Sequence, residues 1–167
     1  MSRYNAILKN DVVNSESGVC VSFFVQGCPH RCPGCFNEET WDFNSGIEYT
    51  SDVGDSIVEA IGANGIVRDF ALLGGEPLAP QNLQMVSEVV DKVREAYPDI
   101  TIYLWTGYTY EELLGWDNPY FTNIMSKIDI LIDGPFIEAE KDLSLRLRGS
   151  KNQHIRINHD GLWKMVE

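Results

Sequence analysis

Three of the four cysteines in this 167-residue chain lie within eight positions, at Cys28, Cys32 and Cys35, with the spacing Cys-x3-Cys-x2-Cys. Residues 26–37 also contain two prolines and two glycines, which predict a loop rather than a helix or a regular strand. Thiolates this close together repel one another unless a metal centre neutralises their charge. We therefore expect the loop to surround a metal centre.

Two kinds of metal centre suit such a loop. Structural zinc takes four protein ligands in a closed tetrahedron, so His30 would have to complete a Cys3His site from within one short loop. Three cysteines instead match three irons of a [4Fe–4S] cluster, whose fourth iron stays open to a further ligand. The spacing favours the cluster over zinc or a redox-active thiol. Cys20 lies in an apolar run and is expected to be a small buried residue.

Composition indicates an ordinary globular protein. A hydrophobic content of 44% and a charged content of 23% are typical of one folded domain, here predicted to span residues 1–167. A formal net charge of −12 argues against a nucleic-acid partner, which would need a basic face. Neither a membrane-length apolar run nor a secretory signal is apparent, so we expect no membrane partner and a cytoplasmic location.

Strand-like and helix-like segments alternate along the chain. Apolar runs predict strands over residues 4–8, 19–25, 66–73, 100–105, 128–132, 153–157 and 162–166. Helical periodicity indicates helices over 53–61, 81–96, 110–114 and 120–127. Alternation of this kind is typical of a mostly parallel α/β sheet. Because a complete β/α barrel needs about 250 residues, we predict an incomplete, splayed β/α barrel of about six mostly parallel strands.

Four of the predicted strands end in loops of unusual composition. Parallel strands would bring these loops to one rim, where ligands of α/β proteins bind. Glu76 has the chemistry to accept hydrogen bonds from an ammonium group, although Gly-Gly-Glu-Pro taken alone is more typical of a turn that ends a strand. The four loops are the cysteine loop, Gly74-Gly75-Glu76-Pro77, Thr106-Gly107-Tyr108 and Asp133-Gly134-Pro135-Phe136.

The cysteine spacing combined with Gly-Gly-Glu-Pro resembles the radical S-adenosylmethionine superfamily. More narrowly, four stretches resemble the family of anaerobic ribonucleoside-triphosphate reductase activating proteins, and the resemblance extends from near residue 1 to about residue 157. The stretches are residues 27–37, 105–109, 133–136 and 148–153. Two positions depart from the pattern. Gly34 stands where many superfamily members carry an aromatic residue, and His154 stands where this family usually has arginine.

The resemblance implies an iron–sulfur enzyme with two cofactors, a [4Fe–4S] cluster and S-adenosylmethionine. One electron would cleave the bound S-adenosylmethionine into methionine and a 5′-deoxyadenosyl radical, which would generate a glycyl radical on the large subunit of the reductase. A small electron donor such as reduced flavodoxin would supply the electron. The implied cluster ligands are Cys28, Cys32 and Cys35, and the implied cofactor-binding residues are Gly34, Cys35, Phe36, Gly74, Gly75, Glu76, Thr106 and Asp133.

Other functions stay open on the sequence. The chain could activate a different glycyl-radical enzyme, such as pyruvate formate-lyase, or act on a small molecule as the deazaguanine synthase does. A zinc-binding interaction module without catalysis is the alternative from another class. We also expect the basic residues Arg146, Arg148 and Lys151 to lie near the site and to steer a partner or bind an anionic group, unless they form only a solvated loop.

Overall fold

Eight strands form one mixed sheet in the computed structural model, which describes residues 2–16 and 18–167. The strands are β1 (Arg3–Asp11), β2 (Cys20–Val25), β3 (Ile47–Glu48), β4 (Asp69–Gly74), β5 (Ile102–Trp105), β6 (Ile130–Asp133), β7 (His154–His159) and β8 (Leu162–Met165). Their order across the sheet is β3-β1-β2-β4-β5-β6-β7-β8. The α-helices of the described residues are α1 (Ser51–Ile61), α2 (Leu83–Ala96), α3 (Tyr110–Leu113) and α4 (Pro119–Lys127).

The predicted barrel of about six mostly parallel strands is wrong. The sheet has three parallel pairings, which join β2 to β4, β4 to β5 and β5 to β6. The other four pairings, β1 with β2, β1 with β3, β6 with β7 and β7 with β8, are antiparallel. The physical reason lies in the connections. Parallel neighbours need a crossover, usually a helix, whereas the described residues between β1 and β2 and between β6 and β7 contain no α-helix.

A tight turn at Asp160-Gly161 makes the last two strands a hairpin. Both turn residues have positive φ, 52° for Asp160 and 91° for Gly161, which fits the mirror-image turn that joins twisted antiparallel strands. Asp-Gly between two apolar runs is a strong hairpin signal, and the sequence analysis overlooked it. The sequence analysis also missed β3, a two-residue strand that pairs with the start of β1.

The main core lies between the helices and one face of the sheet. Alternate strand residues, such as Phe23, Leu72 and Leu104, are fully buried there against the apolar faces of α1, α2 and α4. The residues between them point to the opposite face, which we call the cavity face, and a smaller cluster containing Cys20, Leu73 and Tyr103 packs on it. This alternation follows from the two-residue period of a strand.

The predicted helices are all present. α2 begins after a 3-10 turn at Pro80–Asn82, two residues later than predicted. Local sequence sets the starts of the two short helices. Thr109 and Glu112 form a capping box at α3, and the Asn118 side chain accepts two backbone N–H groups at α4. In the described part of the chain, no helix has the length and apolar character to cross a membrane.

Candidate metal centre and cofactor cavity

The sheet places all four unusual loops around one cavity of about 530 Å³. It lies at the carboxyl ends of the parallel strands, where α/β proteins bind ligands. Its lining includes all three loop cysteines, residues 74–76, residues 106–107 and Gly134. Four segments that are distant in sequence therefore meet at one site.

The cysteine loop leaves β2 and holds its three thiols half-buried and unpaired by disulfides. Burial raises the pKa of the Cys28 thiol to about 11 and also raises the pKa of Cys32. Repulsion between neighbouring thiolates acts in the same direction, from Cys32 on Cys28 and from Cys35 on Cys32. Three thiols in this setting would ionise together only beside a positive centre.

Backbone N–H groups point at all three sulfurs. The N–H of Asn37 donates to Cys35 Sγ at 3.4 Å. Backbone N–H groups of His30 and Arg31 beside Cys28, and of Phe136 beside Cys32, act to lower the pKa of those two thiols. Such N–H donors stabilise thiolate ligands and tune the reduction potential of an iron–sulfur cluster. The donor set therefore fits a cluster bound by Cys28, Cys32 and Cys35.

His30 does not complete a zinc site with the cysteines. Its Nε2 atom lies 2.7 Å from Glu76 Oε1, and its ring meets Tyr108 edge to face at 4.6 Å between centroids. Across residues 2–16 and 18–167, no group of three or more His, Cys, Asp or Glu side chains is arranged to hold a metal ion. Ligands of a four-iron cluster bind separate irons, so their sulfurs need not converge on one point.

Glu76 is buried to 1% exposure, and its carboxylate connects the loops of the site. Each carboxylate oxygen accepts two hydrogen bonds. Oε1 accepts from His30 Nε2 and from the N–H of Gly107, both at 2.7 Å. Oε2 accepts from Thr106 Oγ1 at 2.8 Å and from the N–H of Leu78 at 2.9 Å. These four donors hold the carboxylate against three loops of the site. The role predicted for Glu76, binding an ammonium group, stays a prediction beside this observed structural role.

Gly74 ends β4 where the chain turns into the cavity. Its φ of 119° is rare for residues with a side chain, and an added Cβ would lie 2.7 Å from the backbone of Val25. Gly75 follows with a similarly close approach to the carbonyl oxygen of Gly27, at 2.5 Å from an added Cβ. The two glycines thus let the loops after β2 and β4 pack backbone against backbone.

The remaining predicted cofactor residues divide into two groups. Phe36 and Thr106 line the cavity; the Phe36 ring is 55% exposed and lies 5.1 Å from the ring of Phe136. Gly34 and Asp133 are outside the lining that the described residues form. Gly34 packs under the Glu138 side chain, and the buried Asp133 carboxylate accepts hydrogen bonds from Arg156 Nε and from the N–H of Tyr110.

The predicted basic cluster is largely neutralised within the protein. Arg146 pairs with Glu16 and Glu167, and Arg148 contacts Glu167 at 3.4 Å. Arg148 does line the cavity, whereas Lys151 is exposed and lies outside the lining that the described residues form. The expectation of a position near the site thus holds for Arg148.

Sequence reasoning missed the contact between His30 and Glu76 and the place of Trp41 in the cavity wall. In the sequence, His30 stands out only as the residue that would complete a zinc site. Its contact depends on β2 lying beside β4, which positions the loops that follow them. A polar residue inside the cysteine motif was the available signal, but it does not identify its partner.

The fold and the thiol site together define a class, that of small iron–sulfur proteins. The chain matches the family described as "4Fe-4S single cluster domain" over residues 15–156. It is also 40% identical over 153 residues to the anaerobic ribonucleoside-triphosphate reductase-activating protein of Vibrio cholerae, covering 91% of this chain and 96% of the relative. The protein of the same name from Escherichia coli K12 is 38% identical, with 92% and 99% covered, and that of enterobacteria phage T4 is 34% identical, with 96% and 97% covered.

These similarities extend over nearly the whole chain and nearly the whole of each relative. The chain therefore belongs to the family of anaerobic ribonucleoside-triphosphate reductase-activating proteins, and it contains a 4Fe-4S single cluster domain.

Proposed function

We propose that this protein uses a [4Fe–4S] cluster and S-adenosylmethionine to generate a glycyl radical on the large subunit of an anaerobic ribonucleoside-triphosphate reductase. The observation that carries the proposal is one cavity lined by the three loop cysteines and by the Gly74-Gly75-Glu76 turn. The names of the relatives give the reductase as their target.

Each loop has a part in the proposal. Cys28, Cys32 and Cys35 hold the cluster, and the backbone of Gly74 and Gly75 with Glu76 binds the amino end of S-adenosylmethionine. The partly exposed Phe36 ring offers an apolar face for the adenosine, while Thr106 keeps the turn after β5 against Glu76. Gly34 and Asp133 act from behind the cavity wall by fixing the cysteine loop and the end of β6.

The chemistry that the two cofactors would supply, once bound, is one-electron cleavage of the sulfonium to methionine and a 5′-deoxyadenosyl radical, and that radical would take a hydrogen atom from a glycine of the reductase. The protein contributes orientation and water exclusion. Apolar side chains of the cavity lining, including Phe24, Leu73 and Trp105, suit the exclusion of water from a radical. A small carrier such as reduced flavodoxin is the proposed source of the electron.

An anaerobic reconstitution tests the function. The protein would be loaded with iron and sulfide, reduced with dithionite and mixed with S-adenosylmethionine and the purified reductase large subunit. We expect 5′-deoxyadenosine by chromatography and a glycyl-radical signal by electron paramagnetic resonance. Pyruvate formate-lyase in a parallel tube covers the alternative partner. A colourless protein that holds zinc, or a radical on pyruvate formate-lyase alone, would contradict the proposal.

A further inference from the structure

Two loops place exposed apolar side chains at the edge of the cavity. Val13, in the connection from β1 to β2, is 78% exposed, and Leu143, in the connection from β6 to β7, is 76% exposed. Both line the cavity that contains the three cysteines, and Leu145 and Leu147 line it beside them. We call these four residues the apolar lip. Exposed apolar side chains grouped at a cavity edge are typical of an interaction site.

The two loops are firmly attached to the molecule behind their tips. The N–H of Glu16 donates to the Tyr103 hydroxyl at 3.2 Å, and the carbonyl of Leu147 accepts from Trp105 Nε1 at 2.8 Å. An isolated bridge between Lys141 and Ser150 closes the base of the second loop. The lip is therefore held in place by the cavity face, which favours a preformed docking surface.

Arg146 and Arg148, which alternate with the leucines of the lip, are paired within the protein. Arg146 joins the two loops through Glu16 and also pairs with Glu167, which in turn contacts Arg148. The lip consequently presents an uncharged surface in a protein whose formal net charge is −12. A charged segment would gain nothing there and would lose hydration, whereas an uncharged segment would bury apolar area.

We propose that the apolar lip is the docking surface for the glycine-bearing segment of the reductase, an uncharged, extended stretch of chain. This inference rests on the proposed function and identifies the surface that the partner uses. A cavity of about 530 Å³ that also holds the cofactors admits only a narrow segment. Residues flanking the glycine then cover Val13 and Leu143 while the glycine itself reaches the interior.

A double variant, Val13→Ser with Leu143→Ser, tests the lip. The matched control is Ile66→Ser with Val67→Ser, because these side chains are 54% and 59% exposed and precede the amino end of β4, away from the cavity. Both variants and the unchanged protein would be reconstituted with cluster. Binding to the reductase large subunit would be measured by anaerobic sedimentation, and glycyl-radical yield by electron paramagnetic resonance against reductase concentration.

We expect the lip variant to bind the reductase about tenfold more weakly, a typical loss for removal of apolar anchors at an interface. Its 5′-deoxyadenosine formation with dithionite alone should equal that of the control. Equal reductase affinity in both variants overturns the inference, and so does a dimer of the unchanged protein that the lip variant loses, since a second copy would then cover the lip. If the unchanged protein binds the reductase but forms no radical, the proposed function fails while the binding comparison still decides the lip.

Discussion

Cys20 is an internal reference for the three cysteines of the loop. It is fully buried in β2, its sulfur lies 3.4 Å from the Ser22 hydroxyl, and burial raises its pKa to about 11. The loop cysteines differ from it in position, since they line the cavity and receive backbone N–H groups. At the scale of single residues, exposure to the cavity separates proposed cluster ligands from a core thiol.

Alanine substitutions test this separation. Cys28→Ala, Cys32→Ala and Cys35→Ala should each lose most of the iron and sulfide per chain after anaerobic reconstitution, because three-cysteine ligation leaves no replacement thiolate in the loop. Cys20→Ala, which removes only a small buried group, should keep the iron content of the unchanged protein. Comparable iron loss in Cys20→Ala and Cys32→Ala would show that the ligand assignment is wrong.

Glu76 has two roles to separate, the proposed contact with the ammonium of S-adenosylmethionine and the observed connection between loops. Glu76→Gln should keep the cluster but weaken S-adenosylmethionine binding by about 1.5–3 kcal/mol, the range for a hydrogen bond to a charged group. Equilibrium titration of the reconstituted protein measures this.

His30→Gln is the matched control for that experiment. It alters one internal donor to the Glu76 carboxylate and leaves the carboxylate in place. If Glu76 contacts the ammonium directly, His30→Gln should affect S-adenosylmethionine affinity much less than Glu76→Gln. Equal losses in the two variants would assign Glu76 to loop positioning alone.

The hairpin of β7 and β8 shows how one turn sets the edge of the sheet. Gly161→Ala should lower the free energy of unfolding by about 1 kcal/mol or more, because a side chain disfavours φ of 91° although nothing lies within 4 Å of the added Cβ. Gly115→Ala is the control, since its nearest neighbour is 3.8 Å away and its φ is not in the left-handed region. Urea denaturation measures both, and a Gly161→Ala protein as stable as Gly115→Ala contradicts the turn assignment.

The Asp133–Arg156 ion pair connects β6 with β7. The Asp133 side chain is 1% exposed and that of Arg156 is 10% exposed, with Asp133 Oδ1 at 2.8 Å from Arg156 Nε. Asp133→Asn should lower the free energy of unfolding by about 1–3 kcal/mol, because it removes the short ion pair of a largely buried guanidinium. Arg156 would keep only its longer contact with Glu111, at 3.9 Å, and its position over the Tyr110 ring. Titration with S-adenosylmethionine then tests the sequence prediction for Asp133. A raised dissociation constant at full cluster content would support a cofactor role, and unchanged stability would contradict the ion-pair argument.

Elements defined by local sequence were the predictable part of the fold. The Thr109 capping box, the proline at the start of α4 and the apolar runs of β2, β4 and β5 each act within a few residues, so helices and strands were found. Strand direction depends instead on how distant segments pair. No local signal showed that β1 runs antiparallel to β2, or that β7 runs antiparallel to β6.

The site also divides into features set by local sequence and features set by contacts between distant segments. The proposed cysteine ligands and the Gly74-Gly75 turn are encoded by spacing and by residue type, and the loops that carry them do meet in one cavity. The His30–Glu76 contact joins residues that are 46 positions apart. The ion pair of Arg146 with Glu16 joins residues that are 130 positions apart. Contacts over such separations become visible only once the sheet order is known.

The protein as a whole has a formal net charge of −12, so a redox partner meets a negative electrostatic potential as it approaches. The chain has 25 acidic residues and 13 basic residues, and several of the basic side chains form ion pairs within the protein. Beside the cysteine loop, Arg31 lies 5.7 Å from the Trp41 ring and Lys141 lies 5.3 Å from the Phe36 ring. Two local cations at the proposed cluster therefore oppose a global charge of −12.

Ionic strength shows which of these charges controls electron delivery. At about 0.01 M salt the screening length is about 30 Å, so an acidic carrier protein experiences the whole molecule, whereas at about 0.15 M it is about 8 Å and only nearby charges act. Because the net charge is far larger than the local pair of cations, we expect the rate of cluster reduction by an acidic carrier to rise as salt increases over this range. Stopped-flow absorbance of the cluster measures the rate, and an uncharged small reductant, whose rate should stay nearly constant, is the control.

A rate that falls with salt would mean that the carrier docks at Arg31 and Lys141, and Arg31→Gln with Lys141→Gln should then remove the salt dependence.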